Sequence, residues 1–231
     1  MCGRYARKSA QELLAEWFDL DLSRMPWFTE SYNAAPQSFQ PVVWQQAGER
    51  RISLMRWGLV PHWARDARVG LTTINARAEE AAAKPAFRQA LQKRRCLIPA
   101  DAFYEWQRLS AKRRQPYAFA LAGGAPFAFA GLWESWQATA EETLTTFTIL
   151  TTTPNQRMAP IHDRMPVIIA PENYPRWLAA ADDTELPLEL LRPYPAEQME
   201  DWPVSERVGN VRNNEPALLE RSSPAQGQLL F

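Results

Sequence analysis

Cys2 is the residue with the clearest potential for chemistry, because it directly follows Met1 in the opening segment MCGRYARKSA. Cysteine has a small side chain, so we expect aminopeptidase to remove Met1 and leave a free α-amine beside the thiol. Such an amine has an unperturbed pKa of about 7.7–8.0 and is partly neutral and nucleophilic near pH 7. The thiol could attack an amide, or the amine could condense with an aldehyde before the thiol closes a thiazolidine ring. The plain alternative is a small buried hydrophobic residue.

Three more side chains suit the aldehyde reaction. A histidine titrates near neutral pH, so His162 could protonate the oxygen that leaves when a sugar ring opens. Glu105 lies in the aromatic segment FYEW, where burial would raise its pKa and let it act as an acid and then as a base. Asn75 offers a donor and an acceptor for holding the amine or the sugar hydroxyls. The structural alternatives are a salt-bridged glutamate, a core histidine and a turn-forming asparagine.

Arginines accompany these candidates. Each of three arginines follows a candidate catalytic residue by two positions: Arg4, Arg77 and Arg164. Residues i and i+2 of a strand face the same way, so each pair would share a cleft in which guanidinium groups clamp a phosphate. If the phosphate belongs to a nucleic acid, we also expect Asn33, Pro36 and Trp63 to line the channel that holds it, with Trp63 as a stacking surface for bases. Solvated arginines and a structural Trp63 are the alternatives.

Composition limits the class of protein. The 231 residues are 46% hydrophobic and 23% charged, which favours one large domain of ordinary globular type. No apolar run approaches the roughly 18–20 residues of a membrane span, and no apolar N-terminal stretch indicates a signal peptide, so we expect a cytoplasmic protein. Cys2 and Cys96 are the only cysteines, and with two histidines they form no metal-binding pattern. We therefore expect no metal and no organic cofactor.

Charge is distributed unevenly, although the formal net charge is zero. Residues 1–120 have a net charge of +8 and residues 121–231 one of −8, and 22 of the 26 basic residues are arginine. The planar guanidinium suits bidentate contact with phosphate or carboxylate. The pattern permits an anionic partner, but it is equally typical of two halves of a fold that attract each other.

Helix signals are few. The segment Ser9–Glu12 has the pattern of a capping box and predicts a helix over residues 10–20. Residues 76–93 predict two helical pieces separated at Pro85. A further short helix is predicted from Pro171, with proline in its first turn.

Strand signals are more numerous. They occur at residues 41–45, 52–56, 117–121, 127–130, 147–152 and 167–170. Because strands outnumber helices and do not alternate with them regularly, the pattern favours an α+β fold over a doubly wound sheet. We expect a single domain over residues 2–221 and a disordered C-terminal tail over 222–231.

Eight short segments occur along the chain in a fixed order. They are MCGRY at 1–5, YNAAP at 32–36, WGLVPHW at 57–63, NARAE at 75–79, RCLIPADAFYEW at 95–106, AGLWE at 130–134, HDRMPV at 162–167 and VGNVRNN at 208–214. Together they resemble the SRAP (SOS-response-associated peptidase) family over nearly the whole domain. The resemblance implies an α+β fold with a mixed, largely antiparallel and barrel-like β core flanked by helices. One departure is Ala102, where the family commonly has glycine.

The same resemblance implies a function. Family members bind single-stranded DNA and react covalently with abasic sites, whose ring-opened sugar exposes an aldehyde at C1′. Cys2 would form a thiazolidine crosslink that shields the lesion in the DNA damage or SOS response, while Asn75, Glu105 and His162 match the family's other site residues. The same cysteine is associated with self-processing, so peptidase and lyase activities are also implied. We expect a monomer whose partner is single-stranded DNA with abasic sites, with replication or repair proteins as further partners and no membrane.

Two other classes of protein remain open at this point. Class II glutamine amidotransferases also begin MCG and use the N-terminal thiol to hydrolyse glutamine. They need elements that hold glutamine and a synthetase domain that uses the ammonia, and we find neither pattern in the sequence. The third class is a non-catalytic DNA- or protein-binding module, in which Cys2→Ala would leave all function intact.

Overall fold

Residues 2–139, 141–179 and 185–223 are described by the structure, a computed structural model. Within these ranges the strands are β1 (Tyr5–Arg7), β2 (Ser31–Ala34), β3 (Phe39–Gln46), β4 (Glu49–Trp57), β5 (Asn75–Arg77), β6 (Arg95–Ala100), β7 (Ala102–Arg108), β8 (Arg114–Leu121), β9 (Phe127–Gln137), β10 (Thr143–Thr152), β11 (Met165–Pro166), β12 (Ile168–Ile169) and β13 (Met199–Pro203). The α-helices are α1 (Gln11–Phe18), α2 (Ala78–Ala81), α3 (Pro85–Lys93) and α4 (Tyr174–Leu178). Single 3-10 turns or slightly longer 3-10 segments occupy Leu22–Arg24, Ala67–Leu71, Pro171–Asn173, Leu188–Leu190, Ala196–Gln198, Glu206–Gly209 and Pro216–Leu219.

Five strands form a closed barrel in the order β10, β4, β3, β6 and β9. The β10–β4 pair is parallel, and the other neighbours are antiparallel. The barrel closes because β9 also pairs with β10. Closure satisfies the backbone groups that an open sheet leaves at its edges. β5 lies beside β10 in parallel, which places Asn75 opposite Ile149.

A second sheet has five strands in the order β13, β8, β7, β1 and β2, and every pairing in it is antiparallel. β1 is a short central strand, paired with β7 through Tyr5 and Phe103 and with β2 through Tyr5 and Ala34. The chain therefore enters the fold between two neighbours rather than along an edge.

An aromatic cluster joins the second sheet to the barrel. The ring of Tyr5 lies 5.4 Å from that of Trp57 and 5.6 Å from that of Phe129, measured between centroids. Phe103 and Phe119 stack at 5.1 Å. Each such pair contributes about 0.5–1.5 kcal/mol beyond its buried area. Cys2 belongs to the same buried cluster, so packing of these rings also fixes the start of the chain.

The helices cover the barrel on its other side. Phe18 of α1 stacks on Tyr174 of α4 at 5.2 Å, and Trp177 donates a hydrogen bond to the carbonyl oxygen of Cys96 at 2.8 Å. Phe87 and Leu91 of α3 complete this layer. The α+β prediction, with a barrel-like β core and flanking helices, is confirmed.

Local predictions had mixed outcomes. Pro85 separates two helices as predicted, because it begins α3 as its first residue. All six predicted strand runs overlap observed strands. The capping-box prediction is wrong: α1 begins at Gln11 with no side-chain cap, and the Ser9 hydroxyl instead donates to Asp101 at 2.5 Å. The local pattern predicted that this hydroxyl caps the helix, but it binds Asp101, which is 92 residues away in sequence.

The segment after β4 depends on a glycine. Gly58 has a φ of +123°, and a Cβ built there would lie 2.2 Å from the carbonyl oxygen of Gly70. The Gln37 amide donates hydrogen bonds to the carbonyls of Trp57 and Gly70 at 3.2 and 3.1 Å, which holds the two ends of this segment together. The segment between them carries Trp63, so this contact sets where that ring lies.

Three further expectations concern absences and the C-terminus. No helix among the described residues is long and apolar enough to cross a membrane. The same residues contain no group of three or more histidine, cysteine, aspartate or glutamate side chains placed to hold a metal ion. Residues 224–231 of the expected tail lie outside the described residues, so the domain boundary at 221 stays a prediction.

Candidate active site

Cys2 lies three residues before β1 and is fully buried. Burial raises the pKa of its thiol well above the ordinary value, and the charge of Glu105 raises it further. Its Sγ atom lies 4.0 Å from the carbonyl oxygen of Arg4. In this environment the thiol is protonated at neutral pH, so it can attack only when a nearby base accepts its proton.

Glu105 lies on β7, the strand next to β1. The backbone N–H of Tyr104 donates to the carbonyl of Arg4 at 3.0 Å, which aligns the end of the chain with Glu105. The Glu105 side chain is only 3% exposed, and this burial raises its pKa to about 7. The carboxylate of Asp163 adds to the rise. A carboxyl group with such a pKa can donate and accept a proton at neutral pH.

Asn75 reaches the site from β5. It is buried, and its Nδ2 donates a weak hydrogen bond of 3.5 Å to the carbonyl of Ile149, a residue of the same buried cluster as Cys2. Within the described part of the chain, no donor reaches its buried Oδ1 atom. An orphaned buried acceptor is costly, so this atom is suited to receive a donor from a ligand or from a rearranged chain.

His162 lies in the turn before β11, and burial lowers the pKa of its imidazole. The backbone N–H of Arg164 donates to Nδ1 at 3.0 Å. In the neutral ring the Nδ1 atom is then an acceptor, so the proton is on Nε2. Asp163 lies 3.0 Å from the same Nδ1 atom and favours the charged ring. The imidazole is therefore oriented by its own turn, and its charged form, which Asp163 favours, can give a proton from Nε2.

These four side chains converge from separate elements. Electrostatic interaction links Cys2 with Glu105 and Glu105 with Asp163, the neighbour of His162. Gln107 of β7 also donates to the carbonyl of Pro160 at 3.5 Å, which ties that strand to the histidine turn. The site thus lies where the start of the chain, β5, β7 and the turn before β11 meet.

Arg4 and Asn33 are held by the protein itself. Arg4 donates to Asn33 Oδ1 at 3.0 Å and to the carbonyl of Val208 at 2.9 Å. The Asn33 amide donates to three carbonyls of the same loop, those of Val208, Asn210 and Asn213. Both residues therefore fix the segment 208–214 beside the start of the chain, which explains why the motifs YNAAP and VGNVRNN occur together.

The two remaining arginines differ in environment. Arg164 makes a bidentate pair with Glu79 at 3.0 and 2.8 Å and donates to the carbonyl of Thr151 at 2.6 Å. Arg77 is exposed and pairs with Glu80 at 3.1 Å. Of the three pairs expected to share a strand face, Asn75 and Arg77 alone lie on one strand, because His162 and Arg164 lie in a turn and Cys2 precedes β1.

The predicted channel residues are closer to the surface. Trp63 is 56% exposed, as a stacking surface requires, and Pro36 is half-buried. Glu79 is the residue that sequence reasoning missed. It lies within the motif NARAE, so the signal was present, but its pairing with Arg164 spans 85 residues and no local pattern indicates it.

Comparison with known proteins gives consistent results. A family model described as SOS response associated peptidase (SRAP) matches residues 1–211. The chain is 43% identical over 223 residues to the abasic site processing protein YoqW of Bacillus subtilis, covering 95% of this chain and 99% of that protein. It is 31% identical over 254 residues to the abasic site processing protein HMCES of Mus musculus, covering 93% and 70% respectively.

Solved structures agree in fold. A crystal structure of a protein from Bacteroides thetaiotaomicron has a TM-score of 0.85 at 24% identity, covering 96% of this chain and 100% of that one. A second, from Bordetella bronchiseptica, has a TM-score of 0.73 at 29% identity, covering 88% and 100%.

Proposed function

Because the chain belongs to the SOS response associated peptidase (SRAP) family, we propose that it processes abasic sites in single-stranded DNA by crosslinking to them through Cys2. The observation that carries the proposal is the buried pair of Cys2 and Glu105, in which the pKa of the carboxyl is raised to about 7. Relatives named abasic site processing proteins support the choice of substrate. With Met1 removed, the α-amine of Cys2 is the first nucleophile.

The first steps form an imine. In its charged form, His162 protonates the sugar ring oxygen from Nε2 as the ring opens, and the C1′ hydroxyl gives up its proton to water as C1′ becomes an aldehyde. The neutral amine adds to C1′ and gives a carbinolamine. Glu105, in its protonated form, donates to the carbinolamine hydroxyl, and water leaves as the imine forms. The buried Oδ1 atom of Asn75 can accept a hydrogen bond from the amine and hold it in line with C1′.

The last step closes the ring. Glu105, now ionised, accepts the thiol proton of Cys2, and the sulfur adds to the imine carbon. Dehydration leaves the imine protonated on nitrogen, so addition of the sulfur gives a neutral ring amine and completes a thiazolidine. The whole sequence joins protein and DNA with loss of one water. One carboxyl group serves both proton transfers only if its pKa is near the working pH, as that of Glu105 is.

The test is the intact mass of the protein, alone and after incubation with single-stranded DNA that carries one abasic site. We expect loss of Met1 and a heat-stable gain of one DNA strand less one water, absent with undamaged DNA. Cys2→Ala should form no stable adduct, whereas Cys96→Ala, which alters the other buried cysteine, should form it normally. An adduct retained by Cys2→Ala would contradict the mechanism.

The same experiment addresses the remaining activities. If Met1 is removed and no adduct forms, hydrolysis by the thiol takes precedence, and glutamine becomes the next substrate to try. Peptidase and lyase activities stay predictions. A cleaved DNA strand in the reaction mixture would reveal the lyase, and a strand left intact would argue against it.

A further inference from the structure

The loop that joins β7 to β8 carries an isolated group of positive charges. We call Arg108, Lys112, Arg113 and Arg114 the basic hairpin; all four are exposed. No acidic residue occurs in the sequence between Trp106 and Trp133. Across the described ranges, no carboxylate forms a salt bridge with Arg108, Lys112 or Arg114. Several other exposed arginines form salt bridges with carboxylates, for example Arg24, Arg68 and Arg176.

Two of these charges oppose each other directly. Arg108 and Arg114 are cross-strand partners in the antiparallel β7–β8 ladder. Side chains at such positions have Cβ atoms about 4.5–5.5 Å apart, and like charges there destabilise the sheet. Folding alone gains nothing from this pair, and an anion that contacts both guanidinium groups would offset their repulsion.

The basic hairpin lies close to the candidate active site. β7 carries Glu105, and Arg108 follows three residues later, about 10 Å farther along the strand at about 3.3 Å per residue and on the opposite face of the sheet, because side chains alternate along a strand. Since β1 and β7 are antiparallel, β7 continues past the start of the chain at this end of the sheet. The hydrogen bond from Gln107 to Pro160 sets its base against the histidine turn. At about 3.4 Å per phosphate, a strand leaving the site has to extend about three nucleotides and pass round the end of the sheet to reach it.

An open surface cleft lies at the base of the hairpin, on the face of β7 that carries Trp106. Its volume is about 530 Å³, and its walls include Trp106, Lys112, Arg113, Arg114, Pro116 and Glu206. Trp106 is half-buried and presents an indole, which is a surface on which a base can stack. Glu206 is the one carboxylate in this lining, and its charge disfavours a phosphate on its own side of the cleft.

We propose that the basic hairpin binds the sugar–phosphate backbone of single-stranded DNA on one side of the reacting nucleotide. The inference rests on the proposed function for its choice of DNA as the anion. It gives the strand a defined direction through the site, because the hairpin lies on one side of Glu105 and not on both. Single strands fit better than duplexes, since the strand must bend from a buried site to an exposed loop.

The test compares Arg108→Gln/Arg114→Gln with a matched control that also loses two exposed charges, Arg88→Gln/Lys93→Gln on α3. Binding is measured by fluorescence anisotropy over a range of salt concentrations. The probe is single-stranded DNA with a tetrahydrofuran abasic analogue, which has no aldehyde and reports binding alone. For the hairpin variant we expect about a tenfold loss of affinity and a salt slope smaller by about 1.4, from about 0.7 per phosphate contact. The control should match the unmodified protein.

A second arm tests direction. One probe carries a single-stranded extension only 5′ of the analogue, and the other only 3′ of it. The hairpin variant should lose affinity for one of these two probes and keep it for the other. Equal salt slopes for the two double variants, or an equal loss with both probes, would overturn the proposal. Thermal unfolding of the hairpin variant should occur at an unchanged or higher temperature, because a repulsive pair has been removed.

These outcomes are separable from those of the proposed function. The analogue cannot form an imine, so the anisotropy result stands whether or not the protein crosslinks. If the unmodified protein forms an adduct with a true abasic site while the salt slopes are equal, the hairpin proposal alone fails. If no adduct forms while the slopes differ as expected, the crosslinking mechanism fails and the DNA surface remains.

Discussion

Glu105 shows how one buried carboxyl group can limit stability in favour of reactivity. In the folded protein burial raises its pKa from an ordinary 4.5 to about 7. Between these two values the unfolded chain ionises while the folded protein keeps its proton. The free energy of unfolding therefore falls as pH rises from about 4.5 to about 7 and stays low above it.

We expect Glu105→Gln to stabilise the protein at pH 8 by up to about 3 kcal/mol and to change little at pH 4, because the penalty for ionising a buried group is removed. Urea unfolding at the two pH values measures the difference. The variant should crosslink markedly more slowly. A loss of stability at pH 8 would mean that the carboxylate is held by favourable contacts.

Asp163 tunes the same site from the surface. It is exposed, yet its charge raises the pKa values of Glu105 and His162. Removing that charge lowers both, so the pH–rate profile of crosslinking by Asp163→Asn should move to lower pH by a few tenths of a unit, as expected for a solvent-screened charge. Single-turnover rates between pH 5 and 9 measure it. A shift to higher pH would contradict the electrostatic assignment.

At the scale of elements, two long-range contacts position candidate site residues. The Arg164–Glu79 pair joins the histidine turn to α2, which continues directly from the strand that carries Asn75. Glu79 is thus a positioning residue: it acts on His162 and Asn75 through Arg164 and touches no reacting atom.

We expect Glu79→Gln to slow crosslinking about tenfold while binding of the abasic analogue changes less than twofold, because the histidine turn loses its anchor and the DNA surface does not. Stability should fall by about 1 kcal/mol, given that Glu79 is partly exposed. Glu189→Gln, which breaks an exposed ion pair with Arg176, is the control and should leave the rate unchanged. A parallel loss of binding would mean that Arg164 serves the DNA directly.

The close approach of Gly58 to Gly70 is the second long-range contact. Gly58→Ala should destabilise the protein by about 2–4 kcal/mol, because alanine is strained at a φ of +123° and its Cβ would collide with the Gly70 carbonyl. Gly209→Ala is the control, since a Cβ there meets nothing within 4 Å. Urea midpoints compare the two. Equal midpoints would show that the segment carrying Trp63 relaxes easily.

Sequence patterns located most strands, because period-two hydrophobicity is a local property, while the four candidate catalytic residues stay a prediction from residue chemistry. The patterns did not indicate how residues distant in sequence pair. The Ser9 hydroxyl, expected to cap α1, donates to Asp101. The Arg164 guanidinium, expected beside a phosphate, donates to the Glu79 carboxylate in this structure. Asn33 was expected in the channel and instead uses its amide to hold a loop about 180 residues away. A short motif identifies a side chain, but its contacts depend on the three-dimensional fold.

At the scale of the whole molecule, the two oppositely charged halves of the sequence build one barrel. β3, β4 and β6 come from the first half and β9 and β10 from the second, and both β4–β10 and β6–β9 pairings cross the divide. The two halves therefore share one core. The basic hairpin belongs to the positive half, as do other exposed cations such as Arg88 and Lys93.

The central place of β1 has a mechanical consequence. A DNA strand attached at Cys2 pulls on the end of a strand that is hydrogen-bonded on both sides, to β2 and to β7. A motor enzyme moving along that DNA would load both ladders in shear, so that hydrogen bonds on both sides of β1 share the force, rather than peel an edge strand one bond at a time. The crosslinked domain would then act as a stiff obstacle, and its removal would have to begin by loosening the fold from somewhere other than the lesion.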